Sequence, residues 1–196
     1  MRRGKLDGKG AYFQGGPFHI GGRKCYSRLT SHGASMIDPK SYRDAMSAIA
    51  SPVHIVATDG EAGKAGLTVT ALASITDTPA TLLVCVNRGA PSAARFLANG
   101  WFSVSSLAGE DQALSDIFAG RTDEHFERKF VHGAWKSGAH GQPLLETALA
   151  TFECRLTDIK DIGTHHVFFG EVLSVGGPAG GSCLIYHRRG YAQAGK

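Results

Sequence analysis

Residues 63–89, GKAGLTVTALASITDTPATLLVCVNRG, set two kinds of apolar pattern side by side. LLVCV is a continuous apolar run, whereas the segment before it is strewn with threonine and serine. As one uninterrupted strand, period-2 geometry puts Thr68, Thr70, Ser74 and Thr76 on one face and Val69, Ala71, Ala73 and Ile75 on the other. A strand that only filled a core would not need the hydroxylic face, and a solvated face more often carries lysine and glutamate. The pattern alone leaves two readings open, a solvated strand face and a ligand surface.

Further along, the same kind of reading predicts a mostly β chain. Asp38-Pro39 opens a short amphipathic helix, with Tyr42, Ala45, Met46 and Ile49 at helical spacing, that ends near Ser51-Pro52. VHIVAT (53–58) is a strand, and the glycine-rich turn DGEAGKAG makes it a hairpin with the segment above. SAARFLANG and EDQALSDIFAG read as helices, the second closed by Gly120, with strand WFSVSSL between them. RTDEHFERKF to HGQP is polar and irregular, a long excursion of the kind that covers a site. TFECRLT alternates, with Phe152, Cys154 and Leu156 inward and Glu153 and Arg155 outward; HHVFFGEVLSV and CLIY are the last strands, on either side of the turn GGPAGGS. Six or more strands with hairpin-type turns and only short helices favour an antiparallel barrel over a βαβ sheet.

Composition narrows the function. The 196 residues are 42% hydrophobic and 19% charged, consistent with one soluble domain. No run of eighteen apolar residues exists and no secretory h-region opens the chain, so a cytoplasmic protein is expected, with no membrane partner. The net charge of +4 is uneven: residues 1–35 hold seven Lys and Arg against Asp7, and the remainder holds fourteen against sixteen acids. With eight glycines and no apolar periodicity, 1–35 is expected to be a disordered tail. YFQGG (Tyr12 to Gly16) has the look of a protease-cleavable tag remnant, and a start at Met36 fits as well, so the domain is taken as 36–196. The body has no basic surplus, which argues against a nucleic-acid partner.

The motif inventory is mostly negative. Cys25, Cys85, Cys154 and Cys183 form neither a C-x-x-C pair nor a metal-ligand spacing, so neither a disulfide framework nor a metal site is expected. Lys64 is followed by alanine, not the Ser/Thr of a P-loop, and G-x-G-x-x-G, G-x-S-x-G and H-E-x-x-H are absent. His165 and His166 are adjacent on a strand, so they point to opposite faces and at most one serves a site; spacing alone favours an ordinary strand histidine.

YRDAM, AGLTVTALASITDTP, LLVCVNRG, FAGRT, ATFECR, IGTHHVFFGEV and LIYHRRGY, in this order and spacing over Ser41 to Tyr191, resemble the short-chain flavin reductases, the reductase components of two-component flavin monooxygenases. The resemblance implies an FMN-binding split β-barrel, a homodimer with flavin near the subunit interface, and reduction of FMN (or FAD) by NADH or NADPH. It resolves the hydroxylic segment as a flavin surface: Thr68, Val69, Thr70 and Ala71 line isoalloxazine and ribityl, and Cys85, Asn87, Gly89, Ala90 and Ser92 face ribityl and phosphate. Pro91 would there start a helix whose free amides attract an anion, with Arg88 as a counter-charge. Phe118 is either core or flavin wall. His165 matches the family's nicotinamide-side histidine and Tyr191 a lid over it; Thr164 stands where many relatives carry aspartate. The implied product is reduced flavin for a partner oxygenase. Alternatives are an FMN-dependent cob(II)yrinic acid (corrinoid) reductase and a non-catalytic flavin- or haem-binding barrel.

Overall fold

A computed structural model describes residues 37–177 and 180–195. The expected tail 1–35, with Cys25, and Pro178 and Ala179 of the GGPAGGS turn lie outside the described residues. The elements are α1 (Pro39–Ser47), β1 (Ser51–Pro52), β2 (His54–Thr58), β3 (Ala65–Val69), β4 (Leu72–Asp77), β5 (Ala80–Asn87), α2 (Ala93–Asn99), β6 (Trp101–Ser106) and α3 (Gln112–Phe118). A 3-10 turn (Phe126–Val131), β7 (Trp135–Ser137), β8 (Pro143–Leu145), β9 (Ala150–Ile162), β10 (His165–Gly176), β11 (Cys183–His187) and β12 (Gly190–Ala194) follow.

Seven strands form one antiparallel sheet in the order β3-β2-β6-β9-β10-β5-β4. Its two edge strands, β3 and β4, are consecutive in the chain and joined through Thr70 and Ala71. The sheet therefore curls until a covalent corner links its edges, but no ladder closes it. The Cys85 N–H donates to the Ala71 carbonyl at 3.0 Å, and among the described residues β3 has no strand paired with it except β2. This is a mainly β split barrel, as expected.

The corner overturns the single hydroxylic face. Val69 and Leu72 both pack into the barrel interior, with Val56, Val84, Val86 and Phe168. A spacing of three between inward residues is impossible in one regular strand, so the phase flips at Thr70–Ala71. Thr68 lies opposite Val69, on the outer face, whereas Ser74 follows Leu72 on the inner side and pairs with buried Leu82. Only the first half of the segment borders the split.

A second core lies outside β2, between it, α3 and the small sheet β1-β11-β12, and includes Val53, Ile55, Leu114, Phe118 and Leu184. The first helix is shorter than expected. It stops at Ser47, whose carbonyl accepts the Arg188 N–H, and Ser51–Pro52 pairs with Tyr186 and Ile185 of β11 instead. Proline is tolerated there because β1 is an edge strand. None of α1 is buried. No helix among the described residues is long and apolar enough to cross a membrane.

His54 alternates with Val53 and Ile55 and so sits on the inner side of β2; it is 4% exposed. Its Nδ1 meets the Ser106 hydroxyl at 3.0 Å, while Nε2 has no partner. Burial holds its pKa down to about 4 from 6.5. The unfolded chain takes up this proton more readily, so stability is complete above about pH 6.5 and falls as pH drops toward 4, by on the order of 3 kcal/mol. Denaturant titrations of the wild type and His54→Asn from pH 7.5 to 4 are expected to diverge in slope over that window. Parallel curves would show that His54 does not titrate differently on folding.

Candidate active site

The split is bordered by β3 on one side and by the stretch after Val86 on the other, and several clamps hold these borders. Asn99 closes the 59–66 turn: Oδ1 accepts the Ala62 N–H (2.9 Å) and Nδ2 donates to the Gly63 carbonyl (3.1 Å). Gln142 bonds both ways to Asp59, accepting its N–H at 3.0 Å and donating to its carbonyl at 3.1 Å. Gln142 belongs to the 138–142 loop, which is anchored by Glu153. The sequence pattern aims Glu153 outward to solvent; it is 1% exposed, because the loop folds over it and donates three backbone N–H groups to its carboxylate. The excursion expected to be irregular thus holds a 3-10 turn and a β7-β8 hairpin as well as this loop.

Across the split, Asn87 shapes its own turn: Oδ1 accepts the Gly89 N–H at 2.8 Å and its carbonyl accepts the Ala90 N–H at 3.0 Å. Asn87 lies opposite His165 of β10, and Cys85 opposite Val167. Val84, Val86 and Phe168 are buried inward, so Cys85, Asn87 and His165 share the outer face. Burial pushes the Cys85 thiol pKa up. His165 Nδ1 is 2.9 Å from the Thr164 hydroxyl, which leaves Nε2 as the nitrogen available to a ligand. His166 points the other way, stacks on Phe168 (5.7 Å) and meets Asp161 at 2.6 Å.

Two cavities open along the outer side of β3. One, of about 250 Å³, is lined by Val53, Thr68, Thr70, Ala119, Arg121, Tyr186 and Tyr191. Its polar wall is organised by Asp116, which takes hydrogen bonds from Arg121 (2.6 Å) and the Tyr191 hydroxyl (3.0 Å); that hydroxyl is also 2.9 Å from Ser115 Oγ. Desolvation pushes the Tyr191 pKa up. The Thr68 hydroxyl donates to the Ser115 carbonyl at 2.7 Å, fixing α3 against β3. The other cavity, of about 240 Å³, is lined by Gly66, Pro91, Ser92, Gly120, His125, Phe126 and Lys129. Gly66 is required there: a Cβ would fall 2.7 Å from Cε1 of Phe118.

The fold thus brings Thr68, Thr70 and Tyr191 around one cavity and Ser92 beside the other, with Cys85, Asn87 and His165 on the adjoining outer face of β5 and β10. Val69 is buried inward and can offer a ligand only its main chain; Ala71 gives its carbonyl to Cys85. Phe118 is 1% exposed and packs edge-on to Phe130 with centroids 5.1 Å apart, part of the second core. Arg88 reaches the Gly163 carbonyl (3.4 Å) and Asp161 (3.9 Å). The cation beside Ser92 is Lys129, which the sequence reading passed over; its signal was a lysine inside an excursion expected to cover a site. Among the described residues no group of three or more His, Cys, Asp or Glu could hold a metal ion.

A flat ring with a hydroxylated chain and a terminal phosphate fits these residues. The free edge of β3 offers main-chain groups, the small exposed Ala71 allows close approach, and the buried cation Lys129 lines one of the two cavities. The model of the flavin reductase like domain matches residues 46–195. An FMN reductase (NADH) RutF of Stutzerimonas stutzeri (strain A1501) is 40% identical over 162 residues, covering 83% of this chain and 92% of the relative. RutF of Variovorax paradoxus (strain S110) is 43% identical over 160 residues, covering 81% and 88%. Among solved structures, BorF, the flavin reductase component of a bacterial two-component tryptophan halogenase, superposes with a TM-score of 0.76 at 31% identity, covering 81% of this chain and 99% of BorF.

Proposed function

The chain belongs to the flavin reductase like domain family, and from that premise we propose that it is an NADH-dependent FMN reductase that supplies reduced flavin to a partner oxygenase. The observation that carries this reading is the split itself. A barrel whose edge strand β3 pairs on one side only, with its other edge free beside two cavities, has a use for main-chain groups that a closed ladder would consume. In this reading Thr68, Val69, Thr70 and Ala71 border the ring and ribityl chain, and Cys85, Asn87, Gly89, Ala90 and Ser92 the chain and phosphate. Bound FMN supplies a two-electron acceptor that takes hydride directly from dihydronicotinamide, so no general base is needed. The protein's task is to hold the two rings in contact and exclude water. His165, with Nε2 free, orients the nicotinamide, and Tyr191, held by Ser115 and Asp116, covers it.

The proposed assembly is a homodimer. Ala73, Leu83 and Phe169 form one cross-strand row on the outer face, and Cys85 and Val167 the next, an apolar surface beside the split that a second subunit would cover. Anaerobic NADH oxidation with FMN, FAD and a cob(II) corrinoid as competing acceptors tests the function. FMN is expected to be reduced fastest and to bind stoichiometrically. Preference for the corrinoid would move the protein to corrinoid reduction, and failure to oxidise NADH with any acceptor would leave a binding protein.

A further inference from the structure

Arg121 is the sole charged side chain among the described residues that line the cavity at Thr68 and Thr70. Two bonds to one residue fix it. Its backbone N–H donates to the Asp116 carbonyl at 3.1 Å, closing α3 just past Gly120, whose φ of +75° lets the chain turn back. Its guanidinium donates to the Asp116 carboxylate at 2.6 Å, and its Cζ lies 5.6 Å from the centroid of the Tyr191 ring. Closing the helix needs only the backbone N–H, which any residue but proline supplies, so the cap gives no reason for a cation at this position.

The ion pair is also oriented. Arg121 lines the cavity, whereas Asp116 does not, and the Asp116 carboxylate is taken up by Arg121 and the Tyr191 hydroxyl. The wall therefore presents the positive end of the pair to the cavity. A guanidinium has five N–H donors, and the one given to Asp116 leaves others for a ligand. The side chain is half exposed, so its charge stays solvated until a ligand covers it. In the FMN reading this cavity is where the two rings meet, since Thr68 and Thr70 border the flavin and Tyr191 covers the nicotinamide.

Hydride transfer breaks the C4–H bond of the dihydronicotinamide and makes an N–H bond at flavin N5. The electron pair travels with the hydrogen, so the nicotinamide becomes a pyridinium cation and the flavin ring, neutral before, carries one negative charge over N1 and the C2 carbonyl. A fixed cation beside the ring favours that charge, and a carboxylate paired with the cation limits how firmly the product is held. We infer that the Arg121–Asp116 pair sets the protein's relative affinity for oxidised and reduced FMN, Arg121 stabilising the charge that arrives with the hydride and Asp116 tempering it so that reduced flavin is released. This rests on the FMN reading. The test measures the dissociation constants of oxidised FMN, of reduced FMN under anaerobic conditions and of NAD+, with the midpoint potential of the bound flavin, for the wild type, Arg121→Met, Arg121→Lys and Asp116→Asn. Thermal melts of the apoproteins report folding.

Arg121→Met is expected to weaken reduced FMN about 10-fold relative to oxidised FMN, which lowers the midpoint potential by about 30 mV for a two-electron couple. Arg121→Lys should retain most of the wild-type preference, and Asp116→Asn should shift it the other way, with slower release of reduced FMN. If Arg121→Met melts far below the wild type, the opposite shift in Asp116→Asn still decides the matter. Equal weakening of both flavin forms in Arg121→Met would make the arginine a plain contact and overturn the inference. A loss confined to NAD+ would make it a dinucleotide contact, with the same result, and so would potentials that move in one direction in both Arg121→Met and Asp116→Asn. A wild type that binds no flavin takes down the FMN reading and this inference with it. Flavin bound at one unchanged potential in every variant leaves that reading standing and sinks the inference alone.

Discussion

Replacing Glu153 by alanine is expected to cost about 3–5 kcal/mol of folding stability, because three backbone N–H groups lose their acceptor together. The carboxylate takes the Ala139 N–H at 2.8 Å, the His140 N–H at 2.9 Å and the Gln142 N–H at 3.3 Å beneath a loop that hides it from water. In a domain of this size that corresponds to a fall in Tm of roughly 10 °C or more. Glu153→Gln keeps one acceptor oxygen and turns its amide against a donor, so it should fall between. Because Gln142 also grips Asp59 at the turn before β3, FMN affinity should weaken alongside stability. Calorimetry on the three proteins measures the effect. A Glu153→Ala melt within a degree or two of wild type would mean that the loop does not depend on this anchor.

His165→Ala is expected to raise the KM for NADH by about 10-fold or more, the value of one well-placed hydrogen bond, and to leave FMN affinity unchanged. The expectation follows from His165 standing on the outer face opposite Asn87 with Nδ1 occupied by Thr164. His166→Ala, on the inner face against Phe168, should instead lower stability without separating the two ligands. Steady-state kinetics paired with FMN titration distinguishes the cases. Equal loss of both affinities in His165→Ala would make His165 a structural residue.

Much of this molecule was legible before folding. Alternation in TFECRLT marked β9, the run HHVFFGEVLSV marked β10, and glycine-rich DGEAGKAG marked the β2-β3 hairpin. The ordered motifs pointed to the flavin reductases, whose domain model matches residues 46–195. Strand identity and family resemblance are local in sequence, carried by side-chain periodicity and by short ordered segments.

Three features depended on tertiary structure. The phase flip at Thr70–Ala71 was invisible because the alternation of Thr68, Thr70, Ser74 and Thr76 continues across the corner; only packing Val69 and Leu72 into one interior reveals it. Glu153 reads as solvent-facing because a charged residue at an outward position normally is, and its burial comes from a loop folding back over β9. Lys129 reads as an ordinary cation in a polar excursion, until the 3-10 turn carries it under cover beside Gly66 and Ser92. Sequence periodicity determines which way a side chain leaves its own strand. What covers it, and whether charge meets charge there, is decided by segments distant in the chain that share the same few ångströms only once it has folded.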